Sequence, residues 1–342
     1  MDKPRSARHG ADRVAGRAGA RLVIGVAAVA AMLAVSAPLS AQQWPTRPLR
    51  MVIGFAAGGS VDLVARVIAP RLAEGLGQPV VIETRPGAAG NIAGEVVARA
   101  PADGYTVLVS SGGALAVNLV LYTRMPYDPL KELSPIGKIV YQSNVLIVNP
   151  SVPAKTVKEF VALARSRSGV LNYGSAGNGS SQHLAAELFS SLTGVKMVNV
   201  SYKGGAPAMI DLLGGQIDVM FQTIPEAIQQ VRSGRVRALG VTGAKPASVF
   251  PDVPTIAQAG VPGFEFEGWM GLAGPPGLPA ALVQRWNVEL NRTLADKDVR
   301  TRLLEAGLDI AGGTPEQMSA WMKDQVQRMM RLAKEAGIKP VE

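Results

Sequence analysis

The feature of this sequence that most constrains its fold is a unit of strand, small-residue loop and helix that recurs along the chain. In the first copy, a short apolar run at residues 49–55 leads through glycine and serine at residues 56–60. It continues into residues 61–72, where apolar side chains recur at helical spacing. Alternating strands and helices predict a mainly parallel sheet covered by helices on both faces. The sequence therefore predicts an α/β fold.

Further copies of this unit mostly place glycine and serine directly after a predicted strand. The predicted strands lie at residues 79–83, 106–109, 171–173, 197–200 and 217–221. The loops after the first four lie at residues 85–90, 110–113, 174–179 and 202–205, and the fifth strand is followed by a helix at residues 224–231. Ligands of such folds lie beyond the carboxyl ends of the strands, beside helix amino termini whose free N–H groups bind anions. The residues alone leave two interpretations open: an anion-binding site, or a set of ordinary tight turns.

The chain of 342 residues is long enough for two domains. Apolar runs at residues 145–148 and 237–241 mark the two places where we expect the chain to cross between lobes. This predicts one lobe from residues 42–144 plus 245–342 and a second lobe from residues 145–244. The carboxy-terminal part carries helical periodicity, and its stripe of large apolar residues indicates core packing; the stripe comprises Trp286, Leu290, Met318, Met322, Val326 and Met329.

Residues 1–41 have the pattern of a secretory signal peptide. A basic segment precedes residues 22–35, which carry no charge, and small residues follow up to Ala41, after which we expect cleavage. A membrane-spanning helix needs roughly 20 apolar residues, so an uncleaved anchor is the less favoured alternative. This pattern predicts export to the periplasm of a Gram-negative bacterium.

Composition excludes several kinds of chemistry. The chain has no cysteine and two histidines, His9 and His183, which leaves little for thiolate or histidine metal sites. Neither a phosphate loop of the G-x-x-x-x-G-K-[ST] type nor a G-x-S-x-G nucleophile elbow is present. We therefore expect no cofactor and no metal. The net charge of +9 falls partly in residues 1–41, and the remaining surplus suits a small anionic ligand better than nucleic acid.

Six ordered motifs resemble the substrate-binding proteins of tripartite tricarboxylate transporters, the Bug family. They lie at residues 54–62, 81–91, 102–106, 172–177, 202–205 and 252–255. The resemblance covers about residues 44–340. It implies a periplasmic-binding-protein clamshell of the type II-like kind, whose two lobes close on a small carboxylate. It also implies delivery of that ligand to integral-membrane transporter subunits by a monomeric receptor that is not an enzyme.

The resemblance also assigns ligand-binding residues, with the carboxylate held largely by backbone N–H groups. The set carried onto this sequence is Phe55, Gly58, Gly59, Ser60, Asp62, Gly90 and Asn91 from the first lobe, Ser111 from the loop after the third strand, and Ser175, Ala176, Gly177, Ser181, His183 and Tyr202 from the second lobe. Asp62 is expected to order its loop, because a carboxylate facing a carboxylate repels it. Val61 stands where the family usually has a polar residue, and Ala57 where it often has proline.

Two other functions remain open at this point. A periplasmic sensor of the same fold, signalling to a two-component system, has the same sequence features. A hydrolase using Ser181 as nucleophile and His183 as base is the alternative from another class. The identity of the ligand is not determined by these motifs.

Overall fold

The computed structural model of the chain describes residue 1, residues 44–336 and residue 340. In this part the strands are β1 Leu49–Ile53, β2 Val80–Thr84, β3 Thr106–Ser111, β4 Ser134–Val148, β5 Asn172–Ser175, β6 Val198–Ser201, β7 Val219–Thr223, β8 Arg237–Val241, β9 Glu267–Gly274 and β10 Leu308–Gly312. The helices are α1 Ser60–Leu76, α2 Asn91–Ala98, α3 Asn118–Leu121, α4 Val157–Ser166, α5 Ser181–Thr193, α6 Gly205–Leu213, α7 Ile224–Arg232, α8 Ala280–Ala295, α9 Lys297–Glu305 and α10 Pro315–Ala336. A 3-10 turn at Ala88–Gly90 precedes α2, and a π turn at Gly113–Val117 precedes α3.

The strands form one curled mixed sheet in the order β2-β1-β3-β9-β4-β7-β5-β6, with β8 and β10 also paired to β4. The predicted α/β fold is confirmed, and the outer strands have the predicted parallel order: β1 with β2 and β3, and β5 with β6 and β7. The pairs that involve β4 and β9 are antiparallel. The centre is antiparallel because β9 enters between β3 and β4, in the direction opposite to both.

Strand β4 connects two halves of the sheet. Its first part, up to Ser143, pairs with β9 and β10, whereas its second part, from Asn144, pairs with β7 and β8. Hydrogen bonds between Asn144 and Thr242 join this point to the segment that follows β8, at 2.7 and 2.8 Å. The segments near residues 145 and 242, at which the sequence predicts chain crossings, therefore lie side by side.

Helices cover both faces of the second half of the sheet. In β4, Leu146 and Val148 pack into a cluster with the phenylalanines of α4 and α5, while Val145 and Ile147 pack against α6 and α7. A strand buried on both faces has a continuous apolar sequence, as residues 145–148 do. The predicted apolar stripe is confirmed as core, because its six side chains are buried. The stripe residues that lie on α10 pack against the first half of the sheet.

The predicted signal peptide and its cleavage site lie outside the described residues. Within the described residues, we find no helix that combines the length and the apolar character needed to cross a membrane.

Candidate functional site

The loop between β1 and α1 is ordered by Asp62. The Gly58 N–H donates to Asp62 Oδ2 at 3.0 Å, and Arg66 Nε donates to the same carboxylate at 2.9 Å. Burial alone raises the pKa of Asp62, but the bonds from Arg66 and Gly58 outweigh it, so the pKa is lowered. Gly58 has φ +81, a conformation that favours glycine. Asp62 therefore has the loop-ordering contacts expected of it.

Ser60 lies at the amino terminus of α1 without capping it. Gly59 is the N-cap and makes no side-chain cap bond, and Ser60 is the first helical residue. The Ser60 hydroxyl instead lies 2.6 Å from Thr223 Oγ1 at the end of β7. The Ser60 N–H donates to Glu226 Oε1 at 2.8 Å. The amino terminus of α1 thus contacts the strand–helix junction of the other sheet half.

Glu226 receives hydrogen bonds from several donors. Oε1 accepts from Ser60 and from Thr223 Oγ1 at 3.1 Å, and Oε2 accepts from Gln222 Nε2 at 3.1 Å. Burial raises the pKa of Glu226, while these hydrogen bonds oppose the rise. The carboxyl group is therefore held in one position by neutral donors alone.

The loop between β5 and α5 approaches the first sheet half. Ser180 is the N-cap of α5, and its hydroxyl accepts from the backbone N–H of His183. A Cβ at Gly177, whose φ is +113, would lie 3.1 Å from the backbone nitrogen of Ala89. Tyr122 donates to the carbonyl of Asn178 at 2.7 Å. These contacts close the cleft between the two halves of the sheet.

A small cavity remains at the centre of the closed cleft. It leaves about 20 Å³ for the centre of a water-sized molecule. Its lining comprises Phe55, Gly59, Ser60, Val61, Ser111, Gln142, Ala176, Ser180, Ser181, Gln182, Gly205, Thr223, Glu226 and Met270. A second cavity of about 50 Å³ shares Ser111, Gln142 and Ser181 with it and extends to Glu267 and Trp269. Among the described residues, no lysine or arginine lines either cavity.

The structure brings together part of the predicted site. The predicted residues that line the central cavity are Phe55, Gly59, Ser60, Ser111, Ala176 and Ser181. Three further predicted residues do not line the cavity and contact other parts of the chain. Gly90 packs against the ring of Phe55, Asn91 accepts from Asn118 Nδ2 at 2.6 Å, and Ser175 donates to Asn199 at 2.8 Å. Gly58, Asp62 and Gly177 shape the two loops, as described above.

His183 and Tyr202 have partners away from the cavity. His183 Nδ1 accepts from the Gly179 N–H at 3.2 Å, and burial lowers the pKa of His183, opposed in part by the Glu187 carboxylate. The hydroxyl of Tyr202 donates to Asp211 at 2.6 Å. The neighbours of Ser181 Oγ are the side-chain amides of residues 142, 144 and 182, at 3.2 to 3.5 Å. The described contacts therefore do not pair a serine nucleophile with the His183 imidazole.

Sequence reasoning missed Gln142, Thr223 and Glu226. Gln142 lies inside β4, an antiparallel strand whose first part has no strong strand signal in the sequence. Thr223 is the last residue of β7 and Glu226 lies in the first turn of α7. The sequence predicts this strand, but the junction after it contains no glycine. The position of this junction, beyond the carboxyl end of a strand, is the signal that could have identified both residues.

Two buried polar atoms in the cavity lining lack a hydrogen-bond partner within the described chain. They are Ser111 Oγ and Gln142 Oε1, and both side chains are more than nine-tenths buried. Buried polar groups in folded proteins are normally satisfied, by protein, water or ligand. These two atoms therefore mark a polar end of the cavity, next to Ser181 at the amino terminus of α5.

Comparison with known proteins agrees with this architecture. The profile of the tripartite tricarboxylate transporter family receptor matches residues 64–338. BugT of Bordetella pertussis is 35% identical over 320 residues, which cover 93% of this chain and 98% of BugT. A protein from the tcbD–tcbE intergenic region of Pseudomonas sp. strain P51 is 38% identical over 290 residues, 84% of this chain and 86% of that protein. The chain belongs to this family of transporter receptors.

Solved structures show the same clamshell fold. Rpa4515 of R. palustris, determined with adipate, is 38% identical and has a TM-score of 0.84, covering 87% of this chain and all of that one. The periplasmic binding protein BugD has the same TM-score at 35% identity, with the same coverage. MatC of Rhodopseudomonas palustris, with bound malate, is 33% identical with a TM-score of 0.81, covering 84% and 99% of the two chains. The family and these neighbours are solute-binding proteins.

Proposed function

We propose that this chain is a periplasmic receptor that binds a small carboxylate and delivers it to a tripartite tricarboxylate-type transporter. The observation that carries the proposal is the closed polar cavity, which lies between the amino termini of α1 and α5 and is lined from both halves of the sheet. Helix amino termini stabilise anions, and a cavity lined from two halves couples binding to closure. Structural neighbours determined with adipate and malate support a carboxylate as the ligand.

The remaining parts of this proposal concern organisation. The lobes comprise residues 42–144 plus 245–342 and residues 145–244, which is supported by the change of β4 partners between Ser143 and Asn144. Residues 1–41 direct export through a cleaved signal, and the mature chain acts as a monomer with integral-membrane subunits as partners. The chain is not an enzyme, in keeping with its family and with the contacts of Ser181 and His183 described above.

Ser110 and Ser111 provide a matched test of the site. Both hydroxyls are buried without a hydrogen-bond partner in the described chain, but only Ser111 lines the cavities. The mature protein is titrated by calorimetry with succinate, malate, adipate and citrate. We expect Ser111→Ala to weaken the binding of the preferred acid by at least about tenfold, since a hydrogen bond to a charged group contributes roughly 1.5–3 kcal/mol. Ser110→Ala should leave the affinity unchanged.

Thermal melts give an independent measure of the same binding. A ligand at a hundredfold excess over its dissociation constant should raise the free energy of unfolding by about 2.7 kcal/mol. If no acid shifts the melting temperature and the protein hydrolyses generic esters, the receptor proposal is wrong. Equal losses of affinity in both serine variants would remove the cavity from the binding site.

A further inference from the structure

Glu226 places a carboxyl group at the amino terminus of α1, where a ligand carboxylate is expected to bind. Its Oε1 accepts the Ser60 N–H at 2.8 Å and lies 3.0 Å from the Ser60 hydroxyl. The side chain comes from α7, in the other half of the sheet, so it reaches across the closed cleft. The first-loop amide is therefore already occupied by an acidic group of the protein itself.

The surroundings of Glu226 are shaped to hold this group. Gly205 has no side chain, and a Cβ there would lie 2.2 Å from Glu226 Oε2. Gln222 donates to that oxygen and is itself fixed, because its own oxygen accepts from Gln182 Nε2 at 3.1 Å and from the Thr223 N–H at 2.9 Å. The position of the carboxyl group is thus determined by three surrounding elements: α1, β7 and α6.

The opposite end of the cavity, at the amino terminus of α5, offers hydrogen-bonding groups that no carboxyl group of the described chain occupies. Ser181 and Gln182 are the first residues of α5, and their N–H groups have no acceptor within the helix. Ser111 Oγ and Gln142 Oε1 are buried there without a partner in the described chain. Both helix amino termini contact the cavity, but only that of α1 is occupied by a carboxyl group of the chain.

We propose that Glu226 determines the ligand class: the receptor takes an acid whose carboxylate binds at the Ser111–Ser181 end and whose other end donates a hydrogen bond to Glu226. A hydroxyl or an ammonium group meets this requirement, and a second carboxylate at that end does not. This inference rests on the proposed function, and it narrows the ligand from carboxylates in general to hydroxy and amino acids of this type.

The physical reason is that a second carboxylate finds its place at the amino terminus of α1 already filled. The Ser60 N–H is used by Glu226, and burying a further acidic group beside it without a cationic partner costs free energy. Among the described residues, no lysine or arginine lines the cavity to compensate a second carboxylate. A donor in the same place adds a hydrogen bond to the Glu226 carboxyl group, and an ammonium donor makes that bond charge-assisted and therefore stronger than a neutral one.

The test compares ligands of equal length on the mature protein by calorimetry at pH 7.5. The four-carbon set is succinate, 4-hydroxybutyrate and 4-aminobutyrate, and the six-carbon set is adipate, 6-hydroxyhexanoate and 6-aminohexanoate. The wild type should bind a donor-ended acid at least tenfold more tightly than the diacid of the same length. Glu226→Ala frees the Ser60 N–H and should reverse this preference.

Two further variants serve as controls for the shape of the Glu226 side chain and for the loss of any carboxylate. Glu226→Gln keeps the shape of the side chain without its charge and should raise diacid affinity by itself. Glu305→Ala removes an exposed carboxylate on α9 and should change no preference. If the wild type prefers the diacids and Glu226→Ala leaves that preference unchanged, this inference is wrong while the receptor function stands. If none of the six acids binds to any variant, both proposals are wrong.

Discussion

At the scale of single residues, side chains that are neighbours in the sequence have different roles in the site. Ser180 caps α5, while Ser181 lines the cavity. Asp62 orders its loop, while Ser60, two residues earlier, contacts the other half of the sheet. Residue type alone does not distinguish these tasks. They follow from where each side chain points once the helix begins.

His183 illustrates a residue whose role is support. Its Nδ1 accepts the Gly179 N–H, which requires the neutral ring, and burial lowers the pKa of His183. Because the unfolded chain binds a proton near pH 6.5 and the folded chain at lower pH, stability is fully present above pH 6.5 and is lost as the pH falls below it. The loss is at most about 1.4 kcal/mol per pH unit.

We therefore expect the wild type to lose more stability than His183→Asn between pH 7.5 and 5.5. The Asn Oδ1 can accept the same N–H without titrating in this range. Urea denaturation of both proteins at several pH values measures the difference, and the subtraction removes the contribution of the carboxylates. Parallel pH profiles of the two proteins would contradict the role assigned to His183.

At the scale of elements, the sequence predicts the strand–loop–helix units well and the antiparallel centre poorly. The first unit is clear because glycine, serine and helical periodicity occur together in residues 56–72. Within residues 44–336, the partners of strands β9 and β10 are strands far away in sequence, so their local pattern carries little signal. Cavity residues on recognised loops, such as Ser60 and Ser181, were found, whereas Gln142 on β4 was not.

Helix α4 offers a test of local stabilisation away from the site. The Thr156 hydroxyl accepts the Glu159 N–H at 3.2 Å, and the Glu159 side chain accepts the N–H of Lys155, the residue before the cap, at 2.6 Å. Thr156→Ala should lower the free energy of unfolding by about 1 kcal/mol. Thr156→Ser retains the hydroxyl and should lose much less. Chemical denaturation measures both, and ligand affinity should stay constant; a change in affinity would show that α4 is coupled to the cleft.

At the scale of the whole molecule, the two sheet halves are joined along β4 and at the segment that follows β8. Hydrogen bonds between Asn144 and Thr242 hold these two segments together. We expect changes of backbone angle at a few residues there to rotate one half against the other. In the described form, Ser60 contacts Glu226 and Gly177 lies close to Ala89. Ligand binding favours closure because the cavity is complete only when both contacts are made.

Substitutions at Gly177 and Gly194 distinguish an effect on closure from an effect of backbone strain. Both have positive φ, +113 and +68, and both are strained by a side chain. A Cβ at Gly177 would lie 3.1 Å from Ala89 across the cleft, whereas a Cβ at Gly194 meets nothing within 4 Å. Backbone strain depends on the local conformation of each position, whereas the contact with Ala89 spans the cleft, so we expect opening of the cleft to relieve the contact and not the strain.

Gly177→Ala should therefore weaken ligand binding as well as stability, and Gly194→Ala should lower stability alone. Every 1.4 kcal/mol by which the contact disfavours closure weakens the affinity tenfold. Calorimetry with the preferred acid measures this loss. Small-angle scattering at equal, subsaturating ligand should show a larger radius of gyration for Gly177→Ala than for Gly194→Ala. Equal affinities for the two variants would mean that the approach of residues 174–179 to residues 88–90 does not limit closure, and the binding energy would then have to come from contacts within one half of the sheet.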